Sequence, residues 1–140
     1  MPPTTSTEIE VVEAFLAAIE RLDVDAAVAL LDPEIVYQNV PLPAARGVRA
    51  VEQQLRWLAR YGRAFEVHWH NVAANGPIVL TERTDVLTVG PVSGAFWVCG
   101  TFEVRDGRIV LWRDRFDFVD FVLSFVRGGV KAVLQRVRPN

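Results

Sequence analysis

The residues in this chain with the clearest chemical potential are a few charges and polar groups set inside otherwise apolar strands. Residues two apart on a strand share a face. In the run from Val110 to Phe116, the face built by Val110, Trp112 and Phe116 carries a single charge, Asp114. A carboxylate buried without a partner costs several kcal/mol, so Asp114 needs a cation or hydrogen-bond donors close by. Arg83 is a candidate, and it brings Asp85 with it, because both lie on one face of Val79 to Leu87 with Thr81. Tyr37 and Asn39 likewise share a face at the end of a short apolar strand, where polar side chains reach a pocket. Two carboxyl groups around one cation in an apolar setting resist full ionisation and hold one proton between them, the condition for general acid–base work. A buried salt bridge or a solvated sheet face fits the same charges, and the pattern alone leaves those readings open.

The elements that must position these residues fall into two groups. Ser6 is a helix cap, and Val11, Val12, Phe15, Leu16 and Ile19 follow at helical spacing. Asp23 caps a second short helix, Val24 to Leu31, closed by Pro33. A short strand, Ile35 to Asn39, ends in the Pro41/Pro43 turn, and Gly47 to Leu58 reads as a third helix ended by Gly62. Strands follow over Phe65–Val72, Ile78–Val89, Ala95–Arg105 and Arg108–Phe116, separated by Asn75-Gly76-Pro77, Gly90-Pro91 and Asp106-Gly107. A last helical segment, from about Asp117 to Val126, precedes a basic tail. Helices first and antiparallel strands after them predict an α+β fold in one domain over residues 1–140, with residues 1–5 and 127–140 expected to be flexible.

Composition narrows the functions on offer. A formal net charge of −2 without basic runs gives no footprint for nucleic acid or for a membrane surface. No stretch approaches the roughly 20 apolar residues of a transmembrane helix, and Met1 to Thr7 lacks the apolar core of a secretory signal. A cytoplasmic protein is the expectation. Cys99 is the one cysteine, so no intramolecular disulfide forms. His68 and His70 share a strand face with Glu66 but lack a third firm ligand, and no metal site is expected. Neither a Gly-x-Ser-x-Gly elbow nor a glycine-rich phosphate loop occurs.

Three segments together resemble the limonene-1,2-epoxide hydrolase family: Tyr37-Gln38-Asn39-Val40-Pro41-Leu42-Pro43, Thr81-Glu82-Arg83-Thr84-Asp85-Val86-Leu87 and Trp112-Arg113-Asp114-Arg115-Phe116-Asp117. The similarity runs from about Glu8 to Phe121 and includes Val48 to Gln53 after Gly47. Thr84, Arg115 and a short link between Val89 and Ala95 depart from the family pattern. The resemblance implies a cone-shaped α+β domain with a strongly curved mixed sheet, N-terminal helices closing a deep apolar pocket, as in nuclear transport factor-like proteins and ketosteroid isomerases. It implies addition of water to a small apolar epoxide, terpene-like or cyclic, without a cofactor. Asp114 would be the base on a water held with Tyr37 and Asn39, Asp85 the acid on the ring oxygen, and Arg83 the bridge between the aspartates.

Leu16, Ile19, Leu58, Leu87, Phe96, Val98, Trp112, Phe116 and Phe121 are the expected pocket walls, although plain core positions would look the same. The family also implies a homodimer, which periodicity does not show. An isomerase or cyclase on the same fold would use one carboxylate and Tyr37 and would not need Arg83 between two aspartates. A non-catalytic binder of a small apolar molecule would keep the walls and need none of the five polar residues.

Overall fold

The computed structural model describes residues 6–137. The expected flexibility of residues 1–5, and of 138–140, lies outside them. Helix α1 (Thr7–Glu20) starts where Ser6 accepts a hydrogen bond from the Ile9 amide at 3.1 Å. Helix α2 (Val24–Val28) starts the same way, with Asp23 accepting from Ala26. The chain then forms β1 (Leu31–Val40), β2 (Ala45–Arg46), α3 (Val48–Tyr61), β3 (Gly62–Asn75), β4 (Ile78–Val89), β5 (Val92–Arg105), β6 (Arg108–Arg115) and α4 (Phe118–Val137). Pro33 lies inside β1 rather than at the end of α2, which stops at Val28. Helix α4 continues to Val137, well past the Val126 read from sequence.

The six strands form one mixed sheet in the order β2-β1-β6-β5-β4-β3. Strands β3 to β6 are an antiparallel meander, and β1 joins it parallel to β6. The turn between β5 and β6 puts Asp106 and Gly107 at φ 52° and 76°, the left-handed pair that a tight hairpin requires.

The fold corrects one expectation. The sheet is α+β and mixed as read from sequence, but it is open, neither closed nor strongly curled. Strand β2 stands at one edge and β3 at the other, and they do not pair with each other. With only two residues, β2 is too short to carry the sheet round, and it meets β1 only at Val36 and Tyr37. Helices cover the apolar face instead. Val12, Phe15, Leu16 and Ile19 of α1 and Val51 and Leu55 of α3 pack with Ile35, Val67, Val79, Phe102, Val104, Ile109 and Trp112. Burying each large apolar side chain contributes about 1.5–3 kcal/mol, so helix docking removes the drive to close the sheet on itself.

A register shift between Glu103 and Val104 changes the face of one residue. Ile109, fully buried, takes the core position that strict alternation assigns to Val110. From Trp112 onward, alternation is regained.

Candidate active site

Cross-strand register brings the polar residues together. Asn39 stands beside Asp114 and Tyr37 beside Trp112 across the parallel pair of β1 and β6. Asp114 stands opposite Gly100 on β5, which in turn stands opposite Thr81 on β4. Arg83 and Asp85 follow Thr81 on the same inward face. The face of β4 that carries the charges points inward: Thr81, Arg83 and Asp85 are buried, while Leu80 on the opposite face is half exposed.

Arg83 is the centre of the group and only 1% exposed. Its Nε donates to Asp85 Oδ1 at 3.0 Å and its Nη2 to Asp85 Oδ2 at 3.2 Å. Nη2 also donates to Asp114 Oδ2 at 2.8 Å, and Nη1 donates to Thr81 Oγ1 at 2.9 Å. Burial opposes the guanidinium charge, but the carboxylates of Asp114 and Asp85 outweigh it and hold its pKa above the ordinary arginine value. Asp85 is pushed up to about 6, first by burial, with the Arg83 charge and hydrogen bonds pulling down and Asp114 and Glu20 pushing up. One carboxyl of the pair is thus primed to carry a proton close to neutrality.

Asp114 is buried at 6% exposure, and its Oδ1 has no hydrogen-bond partner among the described residues. A buried acceptor with a free lone pair is a place for a proton donor, and two polar groups stand on the neighbouring strand. Asn39 Nδ2 donates to the Tyr37 hydroxyl at 2.8 Å, which leaves the phenolic proton available to another acceptor. Burial first, and then the Asp114 charge, raises the Tyr37 pKa well above the ordinary tyrosine value, so its hydroxyl remains a donor. The Tyr37 ring lies on Trp112 with centroids 4.1 Å apart.

All five polar residues border one cavity of about 640 Å³. Of the apolar residues named from sequence, Leu16, Ile19, Leu58, Leu87, Phe96, Trp112, Phe116 and Phe121 line it. Val98 does not. It is 1% exposed and stands opposite Arg83 of β4, buried within the sheet face and not at the cavity surface. The sequence reading missed one wall, formed by Ala50, Gln53, Gln54 and Trp57 of α3. Their spacing of three, four and seven is itself a helical face, adjacent to the Val51 and Leu55 stripe that packs in the core. Val51, Leu55 and Phe65 also reach the cavity.

His68 and His70 lie away from this cavity. His68 Nε2 is 3.5 Å from Glu66 Oε2, and His70 Nε2 is 2.7 Å from Thr84 Oγ1. Among the described residues, no three His, Cys, Asp or Glu side chains converge as a metal site, and no helix is long and apolar enough to cross a membrane.

Known proteins give this geometry a context. Residues 6–127 match the limonene-1,2-epoxide hydrolase catalytic domain family. Epoxide hydrolase EphG of Mycobacterium tuberculosis is 47% identical over 128 residues, spanning 91% of this chain and 85% of that protein. The structure of an LEH-like epoxide hydrolase from M. tuberculosis superposes with a TM-score of 0.87 at 46% identity, covering 95% of this chain and 99% of the other. A putative polyketide cyclase from Xanthomonas campestris pv. campestris shares the fold alone, with a TM-score of 0.77 at 20% identity over 85% of this chain and 96% of its own.

Proposed function

This chain belongs to the limonene-1,2-epoxide hydrolase family, and on that premise we propose that it adds water to a small apolar epoxide, terpene-like or cyclic, to give a vicinal diol in one step. The observation that carries the reading is the clamp of Arg83 on two buried carboxyls, one of which keeps a free acceptor atom beside Tyr37 and Asn39.

Opening a three-membered ring at neutral pH calls for two proton transfers around one attack. Asp114 takes a proton from a water that also hydrogen-bonds with Tyr37 and Asn39. The water oxygen bonds to one ring carbon as that carbon's bond to the ring oxygen breaks. Asp85, entering as the carboxylic acid, protonates the departing oxygen. The cycle leaves Asp114 protonated and Asp85 ionised, so one proton must return from the first to the second before the next turnover. Arg83 lies between them and stabilises whichever carboxyl carries the charge. Acid and base are both side chains, so the step calls on no cofactor. The pair titrates as a unit, with its macroscopic values belonging to both carboxyls.

The apolar walls select the substrate class. Leu16, Ile19, Leu87, Phe96, Phe116 and Phe121 offer contact to hydrocarbon, and the linked side chains of Arg83, Asp85 and Asp114 supply polar groups to the same cavity. Such a lining orients an apolar epoxide with its oxygen toward Asp85 and excludes surplus water.

The proposal extends to a cytoplasmic homodimer acting as one domain over the chain. Support for an assembly comes from the uncovered outer sheet face, where Leu80 and Trp97 are about half exposed. Sedimentation velocity is the check, with a single species at twice the chain mass expected.

The activity test is diol formation from limonene oxide and cyclohexene oxide by the wild-type protein and by Asp114→Asn, with EDTA present. The expected result is diol from the wild type and a loss of about 10²–10⁴-fold in the variant. Diol from both at equal rates would overturn the role of Asp114, and no diol from folded wild type would overturn the hydrolase reading for these substrates.

A further inference from the structure

Arg83 bridges two aspartates that do not sit on neighbouring strands. Asp85 is on β4 and Asp114 on β6, with β5 running between them. Two strand spacings separate them, about 9–10 Å along the hydrogen-bonding direction. A side chain on the intervening strand would normally fill that gap. At the level of Asp114 the β5 residue is Gly100, and the β4 residue across from it is Thr81.

A Cβ at Gly100 would lie 2.6 Å from Arg83 Nη1, 2.7 Å from Thr81 Oγ1 and 2.8 Å from Asp114 Oδ1. All three distances are shorter than real Cβ contacts allow, so the guanidinium occupies the space a side chain would take. A glycine inside a strand often marks a close approach by another group, and here that group is the bridging cation.

Thr81 completes the seat. The two carboxyls engage Nε and Nη2, which leaves Nη1 outside the clamp. Nη1 finds the Thr81 hydroxyl at 2.9 Å, and that hydroxyl donates its own proton toward the Gly100 carbonyl at 3.4 Å. Its lone pairs are therefore turned to Arg83. Thr81 is 4% exposed and touches no open part of the cavity, so it acts through the arginine and not on the substrate.

From this arrangement we infer that Gly100 and Thr81 are positioning residues for the hydrolysis, a notch and a neutral anchor that hold the Arg83 guanidinium flat across β5 so that it reaches both aspartates at once. The inference deepens the epoxide-hydrolase reading and rests on it for its kinetic consequence, while the seating of Arg83 is a separate physical fact.

The test uses three variants of the full chain. Thr81→Val keeps the shape and removes the anchor, Thr81→Ser restores the hydroxyl, and Gly100→Ala fills the notch. Thr81→Val is expected to lower kcat about tenfold with KM changed less than about twofold, the signature of an interaction made in the transition state and not in ground-state binding. Thr81→Ser regains most of that loss. Gly100→Ala loses more than Thr81→Val, and if it fails to fold the threonine pair still decides.

Nitrogen-15 NMR of the Arg83 side chain reads the seat without any substrate. Separate Nη1 and Nη2 signals are expected in the wild type and in Thr81→Ser, merging in Thr81→Val as the guanidinium gains freedom to turn. Unchanged Arg83 signals in Thr81→Val would overturn the inference, as would a kcat loss that serine does not rescue. Wild-type protein that makes no diol yet shows the NMR difference would leave the seat standing and sink the hydrolase reading, so the two failures are distinguishable.

Discussion

Two arginines among the described residues are each held by two carboxylates, and only one of the two clusters is buried. Arg56 on α3 meets Asp25 and Glu52 at 2.9 Å each. Arg83 meets Asp85 at 3.0 Å and Asp114 at 2.8 Å. The composition and the distances are nearly the same. The difference is water: the Arg56 side chain is 53% exposed and Asp25 89%, whereas the Arg83 side chain is 1% exposed and its partners under a tenth. In water, two carboxylates beside an arginine stay ionised and are screened. Beneath an apolar cavity, the same set resists carrying two negative charges, and burial raises the Asp85 pKa to about 6. Burial, not the ion pair, turns the triad into a reactive group.

Breaking the two clusters alike gives the largest contrast. Arg83→Met leaves Asp85 and Asp114 buried without their cation, and removal of one partner from a buried pair costs about 3–5 kcal/mol. Urea unfolding should show a large drop in the midpoint, with diol formation lost under conditions where the variant remains folded. A midpoint equal to wild type would mean that the carboxyls are satisfied by other groups.

The second contrast is in pH. Asp85 must be protonated to act as acid, and with its pKa pushed up to about 6 the rate falls as pH rises through that value. The same shift has a sign in stability. The folded protein binds this proton more tightly than the unfolded chain, whose carboxyl titrates near about 4. The contribution of Asp85 to stability is therefore fully present below about pH 4 and is lost as pH rises through about 6. Asp85→Asn should flatten that part of the stability profile measured by urea titration across pH, and an unchanged profile would assign the shift to another group.

A smaller effect sharpens the water site. Tyr37→Phe keeps the ring on Trp112 and removes the hydroxyl that accepts from Asn39. A lost hydrogen bond of about 1–1.5 kcal/mol corresponds to roughly a tenfold slower kcat. Steady-state kinetics check it, and a variant as fast as wild type would remove Tyr37 from the water-holding group. The smallest effect belongs to the surface. Arg56→Met is expected to leave the urea midpoint and the kinetics indistinguishable from wild type, because both partners are already hydrated.

The sequence was informative wherever a side chain contradicted its surroundings. Asp114 stood out between Trp112 and Phe116, and Ser6 and Asp23 announced two helix starts that the structure places as read. Strand parity put Thr81, Arg83 and Asp85 on one face, which is the buried one. What parity lacks is the register between strands, and the notch at Gly100 exists only once β4, β5 and β6 are aligned. Register shifts also moved Ile109 into the place assigned to Val110. Val98 reads as a pocket wall because its parity is right, but parity does not say whether an inward residue borders open space or is fully buried. The open sheet was hidden for a related reason: a two-residue edge strand such as Ala45-Arg46 carries no periodicity, and curvature depends on what covers the face. Past Val126, Val130, Val133, Leu134 and Val137 recur at helical spacing, so the continuation of α4 was legible in the sequence although these side chains are exposed.

The most direct test of the central claim, that Asp114 delivers water to the ring without bonding to it, is a single turnover in ¹⁸O-water with enzyme in excess over limonene oxide. Mass spectrometry of the first diol formed should show one ¹⁸O atom from solvent. Unlabelled diol in that first turnover, with label later found in a carboxyl group of the protein, would mean that an enzyme carboxylate attacks the ring and would contradict the assignment of Asp114 as a base.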